Sequence, residues 1–189
     1  MAGTNQFKFE FPKNFVKYSV AIVAALIVVA YIITAAKFSL VDFGIIIGFI
    51  LIGAAGRLPE RFSPVALGIE LVSVFTIISA IKYGFFAGAI VGAAAFIISG
   101  VFTLERPQDV LIAVIGFIGM AYFAPVAYAF FGVNLGYMAI ALTIGYDVFT
   151  GALYFFTGYN IVHIIRFSIL HIIANYFIIS YLGAKLIGV

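Results

Sequence analysis

The sequence predicts an all-α polytopic transmembrane helical bundle of six to seven membrane segments. Three observations lead there. Of 189 residues, 66% are hydrophobic and only 9% charged; the mean hydropathy is +1.27; and the apolar residues fall into runs about as long as a bilayer is thick. A soluble fold of this size leaves much of its surface in water and has no place for so much apolar area. Crossing a hydrocarbon core of roughly 30 Å takes about 20 helical residues, so the chain accommodates six or seven crossings and no separate soluble domain. The runs lack the strict alternation of barrel strands.

The chain opens on a polar arm, 1–17, with Lys8, Lys13 and Lys17 against Glu10. A single transmembrane domain, 18–189, is expected to follow. The first apolar run, 18–36, stops at Lys37. No small-residue cleavage site follows it and similar runs continue to the end, so it reads as a span and not a secretory signal. The second run, 43–55, is about 20 Å as helix, fit for a short tilted span or a re-entrant piece. Next comes Gly56-Arg57-Leu58-Pro59-Glu60-Arg61-Phe62-Ser63-Pro64, a loop by its prolines and charges. The third run, 65–81, and the fourth, 85–102, are separated by Lys82-Tyr83-Gly84. Glu105-Arg106-Pro107-Gln108-Asp109 introduces the fifth, 110–131, where Pro125 is expected to kink the helix or free a carbonyl. The sixth and seventh runs are 135–156 and 161–187. Their short uncharged loops make the last three spans antiparallel neighbours.

Lysine and arginine counts set orientation. With seven spans and the N-terminus inside, Lys8, Lys13, Lys17, Arg57, Arg61 and Arg106 fall on the inner side and Lys37, Lys82 and Lys185 outside, six against three. If 43–55 does not cross, the bias shrinks to five against four. The expected location is therefore the cell membrane, multi-pass, with a cytoplasmic N-terminus. The net charge of +3 reads as juxtamembrane lysines meeting lipid headgroups, not as a nucleic-acid surface. With no cysteine, disulfides, thiolate metal sites and cysteine nucleophiles are excluded. Trp is also absent, so interfacial anchoring falls to the 11 tyrosines and the lysines.

Small residues recur at helical spacing: Gly84, Gly88 and Gly92 in the fourth run, Gly44 and Gly48 in the second, Ala21 and Ala25 in the first. In lipid such stripes let helices approach closely. They serve either packing within the bundle or docking of another membrane protein.

Ionisable residues at bilayer depth cost about 3 kcal/mol or more and tend to face the protein interior. In the sixth run Gly136, Thr143, Asp147, Thr150, Gly151 and Tyr154 share one arc around Asp147. Asp147 is then either a structural acid, neutral or paired with Arg166, or a contact for substrate or cation. The seventh run holds Asn160, His163, Arg166, His171 and Asn175 on one half of its wheel. The histidines stand about 12 Å apart along a helix, too far to share a metal ion. The set reads as an interhelical hydrogen-bond seam, or as a polar-solute site with Arg166 clamping a carboxylate or phosphate. Tyr146 and Tyr154 offer stacking surfaces. Glu70 is expected near the interface, and Lys185 as a snorkelling anchor; its position near the end of the last run does not suit a retinal protein. Ser73, Ser79, Ser99, Ser168 and Ser180 lack nucleophile-elbow context, and no helix has the paired histidine-glutamate spacing of a metalloprotease. No catalytic residue, metal or cofactor is expected.

The stretch ELVSVFTIISAIKYGFFAGAIVG, from Glu70 to Gly92, resembles a pattern in the substrate-binding S-components of energy-coupling-factor vitamin transporters. The matching positions are Tyr83-Gly84, Gly88 and Gly92, over about an eighth of the chain. The resemblance implies a solute-binding membrane subunit without ATPase activity, docking a coupling subunit through small residues such as Ala21 and Ala25. It also implies that His171 and Asn175 sit where the pocket is lined. The chain departs from that family, which has six helices and both termini inside, by its seven apolar runs.

The leading expectation is therefore a non-enzymatic subunit for uptake of a small, vitamin-like solute, contacted by Asp147, Tyr146, Tyr154, His163, Arg166, His171 and Asn175. Its partners would be the lipid bilayer and a membrane-bound coupling subunit with ATPases. Two alternatives stand beside it: a structural or assembly subunit of a membrane complex, and a small channel or proton-coupled carrier using Asp147 and the histidines.

Overall fold

The computed structural model describes residues 39–59 and 70–188. The chain divides into two units, Met1–Ser39 and Leu40–Val189, and the second is the one described. The polar arm, the first apolar run with Ala21 and Ala25, and residues 60–69 of the first charged loop and the following run lie outside the described residues.

Among the described residues all regular structure is helical: α1 (Leu40–Gly56), α2 (Leu71–Tyr83), α3 (Phe85–Thr103), α4 (Pro107–Phe131), α5 (Leu135–Phe156) and α6 (Ile161–Ile178). A π-helical turn, Ile179–Gly183, and a last turn, α7 (Ala184–Ile187), continue α6. Among the described residues four helical stretches are long and apolar enough to cross a membrane: α3, α4, α5 and the run Ile161–Ile187. At 17 and 13 residues, α1 and α2 are shorter.

Each helix from α2 to α6 packs on the next, while α2 also meets α1, α4, α6 and α7. This makes α2 the central rod, buried without interruption from Val72 to Ala80. Polarity is inverted relative to a soluble protein. Ser73, Thr76, Thr143, His171 and Asn175 lie inside, whereas Phe86, Val101, Phe130, Val148 and Phe156 stand outward, from 64% to beyond 80% exposed and suited to lipid.

Small residues close the packing. A methyl group on Gly88 would lie 2.5 Å from the Ala80 Cβ and 2.8 Å from the Thr76 carbonyl. One on Gly92 would meet the Thr76 hydroxyl at 2.6 Å and Phe117 at 2.7 Å. These two glycines therefore serve contact within the bundle. Gly84 is different: it is exposed, with φ +91, a left-handed value that favours glycine. It alone joins α2 to α3, its N–H donating to the Ala80 carbonyl at 3.0 Å.

Most element bounds follow the apolar runs, and α5 coincides with its run. Helix α4 starts three residues before the fifth run because Pro107 fits the first turn, where its missing N–H is not needed. Pro125 does not end α4, which continues to Phe131. Glu70 caps α2 in extended backbone and is 2% exposed, because α1, α3 and α4 pack around that helix.

Candidate functional site: a polar cavity at one end of the bundle

Because neighbouring helices run antiparallel, the ends of α1, α3 and α5 gather with the starts of α2, α4 and α6. There a cavity of about 440 Å³ is lined by Arg57, Glu70, Glu105, Asp109, Tyr159 and His163 from the helix ends. Phe96, Tyr146, Tyr154, Ile164 and Phe167 line its walls, and Asp147, Thr150, Gly151 and Ser168 complete it.

Arg57, one residue past α1, is the hub of the helix ends. Its Nη1 donates to Ser99 Oγ at 3.0 Å, its Nη2 is ion-paired to Glu105, and its Nε lies 3.4 Å from Glu70 Oε1. Its guanidinium stands 3.8 Å above the Phe96 ring. Only a planar, multidentate cation meets this set of partners at once.

A second pair fixes the rim. Arg106 grips Asp109 with Nε at 2.8 Å and Nη2 at 3.2 Å. Asp109 also accepts the Tyr159 hydroxyl at 2.7 Å, and its carbonyl accepts that of Tyr154 at 3.1 Å. Burial, and then the bond to Asp109, hold the Tyr159 phenol above its ordinary range despite the opposing pull of Arg106. Tyr159 therefore stays neutral and donating.

Deeper in, a hydrogen-bond chain ties α5, α6 and α2 together. His171 Nδ1 is 2.8 Å from Asp147 Oδ1, and its Nε2 is 3.0 Å from Ser73 Oγ and 3.8 Å from Glu70 Oε2. Asn175 Nδ2 donates to Ser73 Oγ at 3.0 Å and Thr143 Oγ1 at 2.9 Å. The order Ser73, His171, Asp147 has the connectivity of a hydrolase triad, but Ser73 is fully buried and outside the cavity lining. Its hydroxyl also lies 2.8 Å from the Glu70 carbonyl. The chain therefore reads as a support for Asp147.

Of the residues singled out from sequence, Asp147, Tyr146, Tyr154 and His163 line the cavity together. His171 and Asn175 stand behind it, wholly buried. Arg166 is corrected. It is exposed on the opposite side of α6, in a shallow apolar groove with Val162, Ile165, Ile169 and Leu170. It lies five residues from His171, about 140° around the helix, so it neither clamps a cavity solute nor pairs with Asp147. Asn160 caps α6 by accepting from the Val162 N–H at 2.8 Å, and so leaves the polar seam. Gly88 and Gly92 face α2 and α4, while Gly84 remains exposed.

Sequence reasoning missed Arg57, Glu105, Asp109, Tyr159 and Ser73. A signal for the first three existed: with seven crossings, the two charged loops emerge on the same side of the membrane. Among the described residues, no three His, Asp or Glu side chains are grouped to hold a metal ion. Comparisons with protein families, with curated proteins and with solved structures found no match.

Proposed function

We propose that the chain is a membrane-embedded solute-binding subunit of a small-molecule uptake system, without ATPase activity of its own and coupled to a partner that supplies it. The observation that carries this reading is the cavity itself. Its 440 Å³ falls in the usual range for small-molecule sites, about 300–1,000 Å³. It combines aromatic walls with charged groups inside an apolar bundle, where such groups are expensive unless they serve a purpose. In this reading Leu40–Val189 crosses the cell membrane six times, and the run 18–36 adds a seventh crossing.

Uptake requires the cavity end to face outward. With a cytoplasmic N-terminus and seven crossings, the end holding Arg57 and Arg106 faces inward. An outward mouth needs six crossings with that N-terminus, or seven with the arm outside. The six-to-three charge bias therefore favours a second reading, a carrier whose site opens to the cytoplasm. A subunit acting only in assembly would account for the buried Ser73–His171–Asn175 chain but gives the cavity no role.

The absence of native cysteine makes the test direct. Gln108→Cys at the cavity end and Lys185→Cys at the other, both at exposed positions, are treated in intact cells with a membrane-impermeant maleimide. Uptake predicts labelling at 108 and protection at 185. The reverse pattern sinks uptake and supports the carrier. Native mass spectrometry of gently extracted protein then looks for a retained small molecule; a ligand-free protein bound to another polypeptide would favour the assembly role.

A further inference from the structure

We infer that the solute of this cavity is a small organic cation bearing N–H donors, held at Asp147; the inference rests on the solute-binding reading above.

Charge is the first argument. Glu70, Glu105, Asp109 and Asp147 all line the cavity. Arg57 answers Glu70 and Glu105, Arg106 answers Asp109, and His171 contacts Asp147. Among the described residues four carboxylates thus face two arginines, with His163 and His171 as the further groups able to carry positive charge. With the two histidines neutral the carboxylates are in excess among the described residues, and an anionic solute would add to that excess in a poorly screened interior.

The second argument is independent of the count. Asp147 is 5% exposed and its Oδ1 is taken by His171. Its Oδ2 is buried and has no hydrogen-bond partner among the described residues. A buried carboxylate oxygen without a donor is costly, and a ligand N–H in the cavity supplies that donor. The support behind Asp147 fixes this geometry before the solute arrives, as a built site requires.

The walls fit the same chemistry. Ring faces attract cations, and the protein's own guanidiniums already use two of them, Arg57 over Phe96 at 3.8 Å and Arg106 over Tyr159 at 4.7 Å. Tyr154 and Phe167 present further rings to the cavity. Since no three metal-ligating side chains are grouped among the described residues, the surplus carboxylates suit an organic cation better than a dehydrated metal ion.

The test uses three probes with one ring and different heads: benzamidine (cationic), benzyl alcohol (neutral) and benzoate (anionic). Binding to the full chain in lipid nanodiscs is measured by calorimetry for the wild type and Asp147→Asn, with unfolding temperature recorded for both. The expected result is benzamidine binding at least about tenfold tighter than benzoate, and a loss of about tenfold or more in Asp147→Asn, with benzyl alcohol changing little. Equal or tighter benzoate binding overturns the inference, as does undiminished benzamidine affinity in the variant. If the variant does not fold, the wild-type ranking decides. Binding dominated by benzyl alcohol overturns the cation and leaves the cavity reading standing. If no probe binds, the charge of any molecule retained by native extraction decides: a cation supports the inference, and an anion or neutral molecule overturns it. No probe and no retained molecule overturns both readings.

Discussion

Asp147 on α5 and His171 on α6 meet at 2.8 Å with neither side chain reaching solvent, at 3% and 0% exposure. The pair couples the cavity wall to the central rod, because the other ring nitrogen of His171 reaches Ser73 on α2. Removing the imidazole would strand a buried carboxylate. His171→Ala should therefore destabilise the protein by about 3 kcal/mol or more, read as a lower unfolding temperature in micelles. His163→Ala, at an exposed position, should stay within about 0.5 kcal/mol. Equal effects would mean that the buried network does not hold these helices together.

Arg57→Lys should behave as a damaging change. Lysine keeps the charge but has no planar fork to serve Ser99, Glu105 and Glu70 together, nor a flat face for Phe96. A loss of about 1–3 kcal/mol is expected, and Arg57→Ala should cost more. Thermal unfolding monitored by circular dichroism checks both; a lysine variant as stable as the wild type would show that charge alone suffices.

Gly88→Ala should lower stability by about 1–3 kcal/mol, since its new methyl meets the Ala80 side chain and the Thr76 backbone, and backbone cannot yield cheaply. Gly44→Ala and Gly48→Ala, where nothing lies within 4 Å, should be neutral or mildly stabilising through helix propensity. The comparison is made on the isolated protein, so a destabilised Gly88→Ala marks internal packing. An unchanged stability would return the stripe to the docking reading.

Arg166→Ala should leave both stability and retained solute near wild-type levels, within about 0.5 kcal/mol, because the side chain faces away from the cavity. Loss of solute in native mass spectra of this variant would contradict the placement of Arg166 on the outer face of α6.

Tyr159 gives a pH signature. Its phenol is held above the ordinary value by burial and by the bond to Asp109, so the neutral form is favoured in the fold. Its stabilising contribution is fully present below the ordinary phenol range and is lost as pH rises through the elevated folded value. In an ultraviolet titration, Tyr159→Phe should remove a phenolate that appears only beyond that range. If the missing phenolate titrates at the ordinary value, Tyr159 is neither buried nor bonded to Asp109 as described.

Much of the fold and half of the site could be read from the chain. Thr143, Asp147, Thr150 and Gly151 lie on one helix, so a fixed rotation per residue places them on one face, and the structure buries them all. Arg166 shows where this reasoning stops. A polar half-wheel spans 180°, while a neighbouring helix covers a narrower arc, and nothing local says which flank is covered. The helix-end charges were obscured for another reason. Arg57 lies in one charged stretch and Glu105 and Asp109 in another, each resembling a topology signal, and only the antiparallel assembly of α1, α3 and α4 brings them to one cavity. Ser73 was passed over because a hydroxyl on an apolar helix has no periodic pattern to mark it.

The single-residue joint at Gly84 bears on how the chain enters the bilayer. No aqueous loop separates α2 from α3, and α2 has only 13 residues. In the membrane reading proposed above, the two helices are expected to partition into lipid as one hairpin, with Ala80 and Gly88 already apposed. One close helix contact of the finished bundle would then be among the first to form, and lengthening the joint by a few glycines should slow membrane integration before it alters the folded protein.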